Sequence, residues 1–281
     1  TETIYLPTGN PGPAYINQQR PGDNLYTNSL VALDANSGAL KWYKQFVPGD
    51  YHDWDINHAS PLVSTDSMQL IFVAGKDGIV RAVNRDTHAL VYSIQVSHME
   101  NADAELSVNE TTHFCPGLYG GVQWNGPAYS ANLGRIFVPS VEWCGSLRQT
   151  DEIRYIPGGF YLGGFMGMDP VETSFGKLSA YDVESGELSW SYRSNRPMIA
   201  AVTTTASDLI FTGELNGNFL SLDALTGDVL YRFDTGAPLN GGIVTYTVNN
   251  KQYIAVAAGA ASSIWYTKPA KARILIFSLP E

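Results

Sequence analysis

The chain has 281 residues, 44% hydrophobic and 12% aromatic, with 27 Gly and 15 Pro; that is enough apolar material for a large core, and a turn-rich composition that suits an all-β protein. A net charge of −10 and a pI of about 4.9 leave no basic footprint for a phosphate backbone, which excludes nucleic acid as a partner. No apolar run approaches the roughly 20 residues that span a bilayer, and the two cysteines form neither C-x-x-C nor C-x-x-C-H, so zinc ribbons and attached c-type haem are unsupported.

The opening "TETIYLPTGN" reads as a strand rather than a signal peptide. Downstream, one pattern occurs four times: "LVALDANSGALKWYKQ" (30–45), "VRAVNRDTHALVYSIQ" (80–95), "LSAYDVESGELSWSYR" (178–193) and "FLSLDALTGDVLYRFD" (219–234). Each is an alternating strand, an Asp or Asn, a short turn, and a second strand with an aromatic near its middle. The anchors are Asp34, Asn84, Asp182 and Asp223, with separations of 50, 98 and 41. The 98 is about twice 49, which predicts one divergent unit in between, containing "GPAYSANLGRIFVPS" (126–140).

A period of 41–50 residues with several strands per unit predicts a β-propeller of four-stranded blades. Near the end, "LIFTGEL", "NFLSLDA" and "VLYRFDT" are joined by "NG" and "TG" turns, and "IVTYTV" pairs with "YIAVAAG" across "NN". About five to six blades or part-blades are visible over 1–281, read as a single domain. The first strand begins mid-blade and the last blade stops after about three strands. Because open edges invite aggregation, the chain is expected to be the C-terminal part of a larger propeller, completed by its N-terminal half or by another chain.

Four stretches depart from the repeat. "TGNP" (8–11) is followed by "RPGDN" (20–24). "VPGDYHDWD" (47–55) concentrates Asp50, Asp53 and Asp55 with His52 and Trp54 in a chain of only 16% charged residues. "AGKDG" (74–78) carries Lys76, and "FCPGLYGGVQWNGPAY" (114–129) carries Cys115, Gln123 and Trp124, with Cys144 following in "EWCG". By residue type alone, Asp50 reads as a solvated turn, His52 as a loop hydrogen-bonder and Trp124 as core packing.

With these motifs in this order, the whole chain resembles the quinoprotein alcohol dehydrogenases, methanol- and ethanol-dehydrogenase-like enzymes that use pyrroloquinoline quinone (PQQ), and specifically the C-terminal half of their eight-bladed propeller. The resemblance implies that Asn10 is a metal ligand, its amide oxygen suiting a hard cation. It makes Asp55 both catalytic base and metal contact, with Asp53 as the alternative because two extra residues separate Pro48 from the Trp-Asp pair. Lys76 would face the quinone oxygens and stabilise charge developing there. Gln123 stands where the family has a cofactor-bonding Asn, and Ile199 in "PMIAAVTTT" where it has a Trp. Trp265 in "SSIWYT" is a candidate for lining the cofactor pocket, against the plainer role of a packed core Trp.

The family also implies a Cys115–Cys144 disulfide, consistent with an oxidising compartment. The implied activity is oxidation of an alcohol or sugar-type hydroxyl by hydride transfer to PQQ, assisted by Ca2+ or, alternatively, a lanthanide. Lanthanide-using relatives carry an Asp two positions after the catalytic one, where this chain has Asn57. A cytochrome c-type electron acceptor and a periplasmic or otherwise exported location complete the picture. The competing class is a non-enzymatic propeller acting as a periplasmic scaffold or binding protein.

Overall fold

The structure is a computed structural model that describes residues 2–259, 262, 264, 265, 267 and 269–279. Among the described residues there is no α-helix; one 3-10 turn, Val171–Thr173, accompanies 21 strands. They fall into two compact units, Thr1–Gln123 with Glu142–Thr173, and Trp124–Val141 with Ser174–Glu281.

The first unit has three antiparallel sheets. β1 (Thr3–Pro7), β2 (Ser29–Asp34) and β3 (Leu40–Gln45) pair in that order, as do β4 (Ile56–Ser64), β5 (Gln69–Gly75), β6 (Ile79–Asn84) and β7 (Leu90–Gln95). The third sheet is small: β8 (Thr112–Phe114), β11 (Gly145–Gln149) and β12 (Gly164–Met168), with β11 central. The second unit has two four-stranded sheets and one three-stranded sheet. The former are β9 (Ala128–Ser130), β10 (Arg135–Glu142), β13 (Phe175–Asp182) and β14 (Leu188–Ser194), then β15 (Thr203–Thr204), β16 (Leu209–Gly213), β17 (Asn218–Asp223) and β18 (Val229–Asp234). The latter is β19 (Ile243–Val248), β20 (Lys251–Ala258) and β21 (Arg273–Ser278).

The repeat has a local physical cause. Each anchor ends a strand, and its side-chain oxygen accepts from the backbone N–H groups two and three residues on: Asp34 from Asn36 and Ser37, Asn84 from Asp86 and Thr87, Asp182 from Glu184 and Ser185, Asp223 from Leu225 and Thr226. These are Asx turns, in which a short side chain supplies the acceptor that closes the bend. In two of the four repeats the aromatic of the following strand packs onto the next sheet. Trp42 stacks on His88 with centroids 4.3 Å apart, and the Trp190 indole N–H donates to the Ala224 carbonyl at 3.1 Å.

Between sheets lie separate apolar layers. In the first unit Leu30, Ile56, Ile71, Val73 and Val83 fill one of them; fully burying each such side chain contributes roughly 1.5–3 kcal/mol. In the second unit, Phe137, Leu178, Ile210 and Leu220 form one layer and Phe219, Leu239, Ile243 and Val256 another.

The structure corrects the reading of the 98-residue gap. Residues 126–140 are not a separate unit: β9 and β10 share one sheet with β13 and β14, so Asp182 closes that same blade. The gap is long because the segments before β9 and between β10 and β13 supply the small β8–β11–β12 sheet. Its disulfide is the expected Cys115–Cys144 bridge, with Cα atoms 4.5 Å apart. Trp124 is 48% exposed and does not pack in the core as its type suggested.

Candidate functional site

The site grows from the chain between β3 and β4. Asp50 is only 2% exposed, which overturns its reading as a solvated turn. Its carboxylate accepts from the backbone N–H groups of His52 and Trp54, both at 3.0 Å. Burial pushes its pKa up to about 6, opposed by those two hydrogen bonds. It is a structural pin that folds the loop back on itself.

"RPGDN" anchors the same loop. The Arg20 guanidinium donates to the carbonyls of Pro13 and Asp50 and to Asn24 Oδ1. One side chain therefore ties the loop after "TGNP" to the loop carrying the acids.

His52 is not a hydrogen-bonder through its ring. The imidazole stacks on Trp54 with centroids 4.2 Å apart and planes 15° apart, and packs on Tyr51 and Phe114. Its Nε2 has no hydrogen-bond partner among the described residues, and burial pushes its pKa down to about 4. The Trp54 indole N–H donates to the Pro116 carbonyl at 3.0 Å, which fixes the platform from which Asp53 and Asp55 project.

Four predicted residues converge there. Lys76, in the turn between β5 and β6, holds both candidate acids, with Nζ 2.7 Å from Asp53 Oδ2 and 2.8 Å from Asp55 Oδ2. The Asn10 backbone N–H donates to Asp55 Oδ1 at 2.9 Å, and the Asn10 side chain hydrogen-bonds Asp53. A second link, Lys76 N–H to the Asp55 carbonyl at 2.9 Å, locks the two segments.

Asp53 reaches this position with φ of 63°, a left-handed conformation that Asp tolerates better than most residues. The packing leaves no spare room: a Cβ at Gly9 would lie 2.5 Å from Asp55 Oδ1. Gly121, at φ +71°, presses against the Lys76 backbone, where any side chain would collide.

Burial opposes the Lys76 charge, but Asp53 and then Asp55 outweigh it and raise its pKa. Burial dominates at Asp53 and raises its pKa, with Lys76 pulling the other way and Asp55 repelling. Two carboxylates share one ammonium, and the cluster is short of positive charge by one. Its oxygen donors are carboxylate and amide oxygens, the set a hard cation takes, so the residues present fit a calcium-class ion; Lys76 fits an anionic or carbonyl oxygen.

Gln123 is buried, but its Nε2 donates to the Gly120 carbonyl at 2.6 Å and its own carbonyl meets His58 Nε2 at 3.0 Å. Asn57 Nδ2 donates to the Val122 carbonyl at 2.7 Å. Both side-chain amides thus brace the 120–123 loop. Trp265 and the fully buried Ile199 belong to the second unit; the Trp265 backbone N–H donates to Ser262 Oγ at 3.1 Å. Sequence reasoning missed Tyr15, a buried phenol whose pKa is pushed up by burial and by neighbouring Asp53. Nothing local in "GPAYIN" marks it.

Known proteins resemble this chain along nearly its whole length. Residues 1–112 match the PQQ family, glucose/ethanol/alcohol dehydrogenase β-propeller domain, and residues 170–274 match the family of outer membrane protein assembly factor BamB. The quinoprotein alcohol dehydrogenase PedH of Pseudomonas putida is 28% identical over 96% of this chain and 50% of its own length. The quinoprotein ethanol dehydrogenase of Pseudomonas aeruginosa is 29% identical over 94% of this chain and 48% of its own length. The lanthanide-dependent methanol dehydrogenase of Methylorubrum extorquens is 25% identical over 92% and 48%.

Among solved structures, the quinohemoprotein alcohol dehydrogenase of Comamonas testosteroni superposes with a TM-score of 0.85 at 23% identity, over 99% of this chain and 46% of that one. The chain thus spans about half the length of the curated relatives it matches. With its all-β sheets and its similarity along nearly the whole length, this chain is a β-propeller relative of the quinoprotein alcohol dehydrogenases.

Proposed function

We propose that this chain supplies part of the active site of a PQQ-dependent dehydrogenase that oxidises an alcohol or sugar-type hydroxyl. The observation that carries the reading is the convergence of Asn10 and Lys76 on the carboxylates of Asp53 and Asp55. Asn10 and Asp55 would hold a calcium ion, with a lanthanide as the alternative. Lys76, Gln123 and Trp265 are the proposed cofactor contacts. When bound, PQQ supplies the hydride acceptor and the cation acts on it as a Lewis acid.

The chain's own residues do the rest. Asp55, part-buried and oriented by the Asn10 N–H, accepts the substrate hydroxyl proton at a carboxylate oxygen; Asp53 is the alternative base. The Lys76 ammonium offers its N–H donors to oxygen carrying developing charge. Arg20, Asp50 and the Trp54–His52 stack hold the loop that positions these groups.

A cytochrome c-type protein is the proposed electron acceptor. The periplasm, or another exported location, is the proposed compartment, in keeping with the Cys115–Cys144 bridge. The scaffold reading draws on the match over residues 170–274, a stretch that contains none of the four converging residues.

The test adds PQQ and CaCl2 to the protein and follows binding by absorbance and thermal shift. Calcium-dependent PQQ binding that is lost in Asp55→Ala and Asn10→Ala is the expected result. Binding indifferent to both substitutions overturns this placement of the site. Absence of PQQ binding by the protein extended to the full length of its relatives overturns the dehydrogenase reading.

A further inference from the structure

A second cluster of ligand-bearing side chains lies around the Cys115–Cys144 bridge in the first unit. Its members come from separate segments: His98 and Glu100 after β7, His113 on β8, and Asp169 just after β12. His113 Nε2 is 3.0 Å from Asp169 Oδ2, and His113 Nδ1 is 3.6 Å from Glu100 Oε1. Glu100 Oε2 in turn is 3.4 Å from His98 Nε2. Two of the chain's five histidines thus flank one carboxylate.

The backbone holds these segments in place independently of the side chains. Glu100 and Cys115 exchange both N–H···O bonds, at 3.0 and 2.9 Å, and the Asp169 N–H donates to the Cys144 carbonyl at 3.2 Å. The Trp143 indole N–H donates to the Asp169 carbonyl at 2.9 Å, and Asn101 Nδ2 to the His113 carbonyl at 2.9 Å. The disulfide closes the frame. Such a frame fixes ligand positions before any ion arrives.

We propose that His98, Glu100 and His113 form a binding site for a zinc-class divalent cation, with Asp169 orienting His113 and solvent completing the coordination. Two ligands about 2.1 Å from one zinc ion, at tetrahedral to trigonal angles, stand roughly 3.4–3.6 Å apart. His98 Nε2 lies 3.4 Å from Glu100 Oε2 and His113 Nδ1 3.6 Å from Glu100 Oε1, so one ion between the two nitrogens would be chelated by both oxygens of the carboxylate, each with a nitrogen at that spacing.

The contact to Asp169 has different chemistry. The carboxylate accepts the Nε2–H, which leaves the Nδ1 lone pair of neutral His113 directed to a metal, the carboxylate–histidine–metal arrangement that sets tautomer and ring orientation. The mixed nitrogen and oxygen donors favour zinc over calcium. The cysteine sulfurs lie close to both pairs but are bonded to each other, so they are not thiolate ligands.

The full chain, freed of metal with a chelator and then titrated with zinc chloride, gives the test by calorimetry and thermal shift. Expected are saturable one-to-one binding, a raised Tm, and no displacement by excess calcium. Glu100→Gln and His98→Gln, at exposed positions that fold without the side chain, are each expected to weaken binding at least about tenfold. Asp169→Asn is expected to weaken it roughly ten- to a hundredfold through the orienting contact. Absence of saturable zinc binding below millimolar concentration, or binding unchanged in both Glu100→Gln and His98→Gln, overturns the proposal.

Discussion

The turn between β5 and β6 and the turn between β16 and β17 occupy the same place in their sheets, and both open with a glycine followed by a buried charged residue. In the second unit that residue is Glu214. Its carboxylate accepts from the Tyr192 hydroxyl at 2.7 Å, Asn218 Nδ2 at 2.7 Å and Arg232 Nη1 at 2.9 Å. Burial alone would raise its pKa, but the bonds to Asn218 and Tyr192, then others including Arg232, bring it below the usual carboxylate range. Every partner comes from the sheets themselves, so the charge is used up in holding them.

In the first unit the residue is Lys76, and its carboxylate partners come from the loop leading into β4. One position in one architecture is thus structural in one sheet and, under the proposed function, chemical in the other. The difference lies in whether the counter-charge comes from the blade or from a loop that breaks the repeat.

The strongest way to break this comparison is Lys76→Met. Removing one partner of a buried ion pair costs about 3–5 kcal/mol, here because Asp53 and Asp55 are left facing each other. Urea denaturation of the single variant and of Lys76→Met with Asp53→Asn should show part of the loss restored in the pair. If the single variant is as stable as the parent, the cluster is not electrostatically coupled as described.

A pH series sharpens the loop's part. Asp50, raised to about 6 by burial, stays protonated in the folded state where the unfolded chain has ionised. Its stabilising contribution is therefore full below about pH 4 and lost as pH rises through 6. His52, lowered to about 4 by burial, acts in the opposite sense; its contribution is full above about pH 6.5 and lost as pH falls through 4. At about 1.4 kcal/mol per pKa unit, each amounts to roughly 3 kcal/mol, and the two nearly cancel between pH 4 and 6.5. His52→Phe should expose a loss of stability on raising the pH across that window, and Asp50→Asn a loss on lowering it.

Smaller effects are expected in the second unit. Glu214→Gln keeps the acceptor oxygen but not the charge, and Arg232 is well exposed, so a cost of about 1–2 kcal/mol is expected. PQQ and calcium binding should be unchanged. Smallest is Asp223→Ala, which removes two turn hydrogen bonds for roughly 1 kcal/mol. The expected readout is a small downward shift of Tm without change in the denaturant slope.

The same contrast explains what was legible in the sequence. The anchors Asp34, Asn84, Asp182 and Asp223 act within three residues of themselves, so their role shows as a short periodic pattern. Asn10, Asp55 and Lys76 stood out through motifs that interrupt that pattern. Asp50 was misread because its burial depends on Arg20 and on packing of the whole loop, which no local signal reports. The shared sheet of β9, β10, β13 and β14 was missed because an insertion imitates a blade in length. The His98–Glu100–His113–Asp169 cluster leaves no spacing motif, since three distant segments meet only through the disulfide frame.

The insertion between β10 and β13 has a consequence for biosynthesis. The partner strand of β10 begins 175 − 142 = 33 residues after its last residue. At about 5–20 residues per second, a nascent chain would leave that edge of β10 unpaired for about two to seven seconds, long beside the microseconds in which a hairpin closes. Among the described strands β10 therefore keeps an edge open longest, and slowing translation across 143–174 is expected to lower the soluble yield.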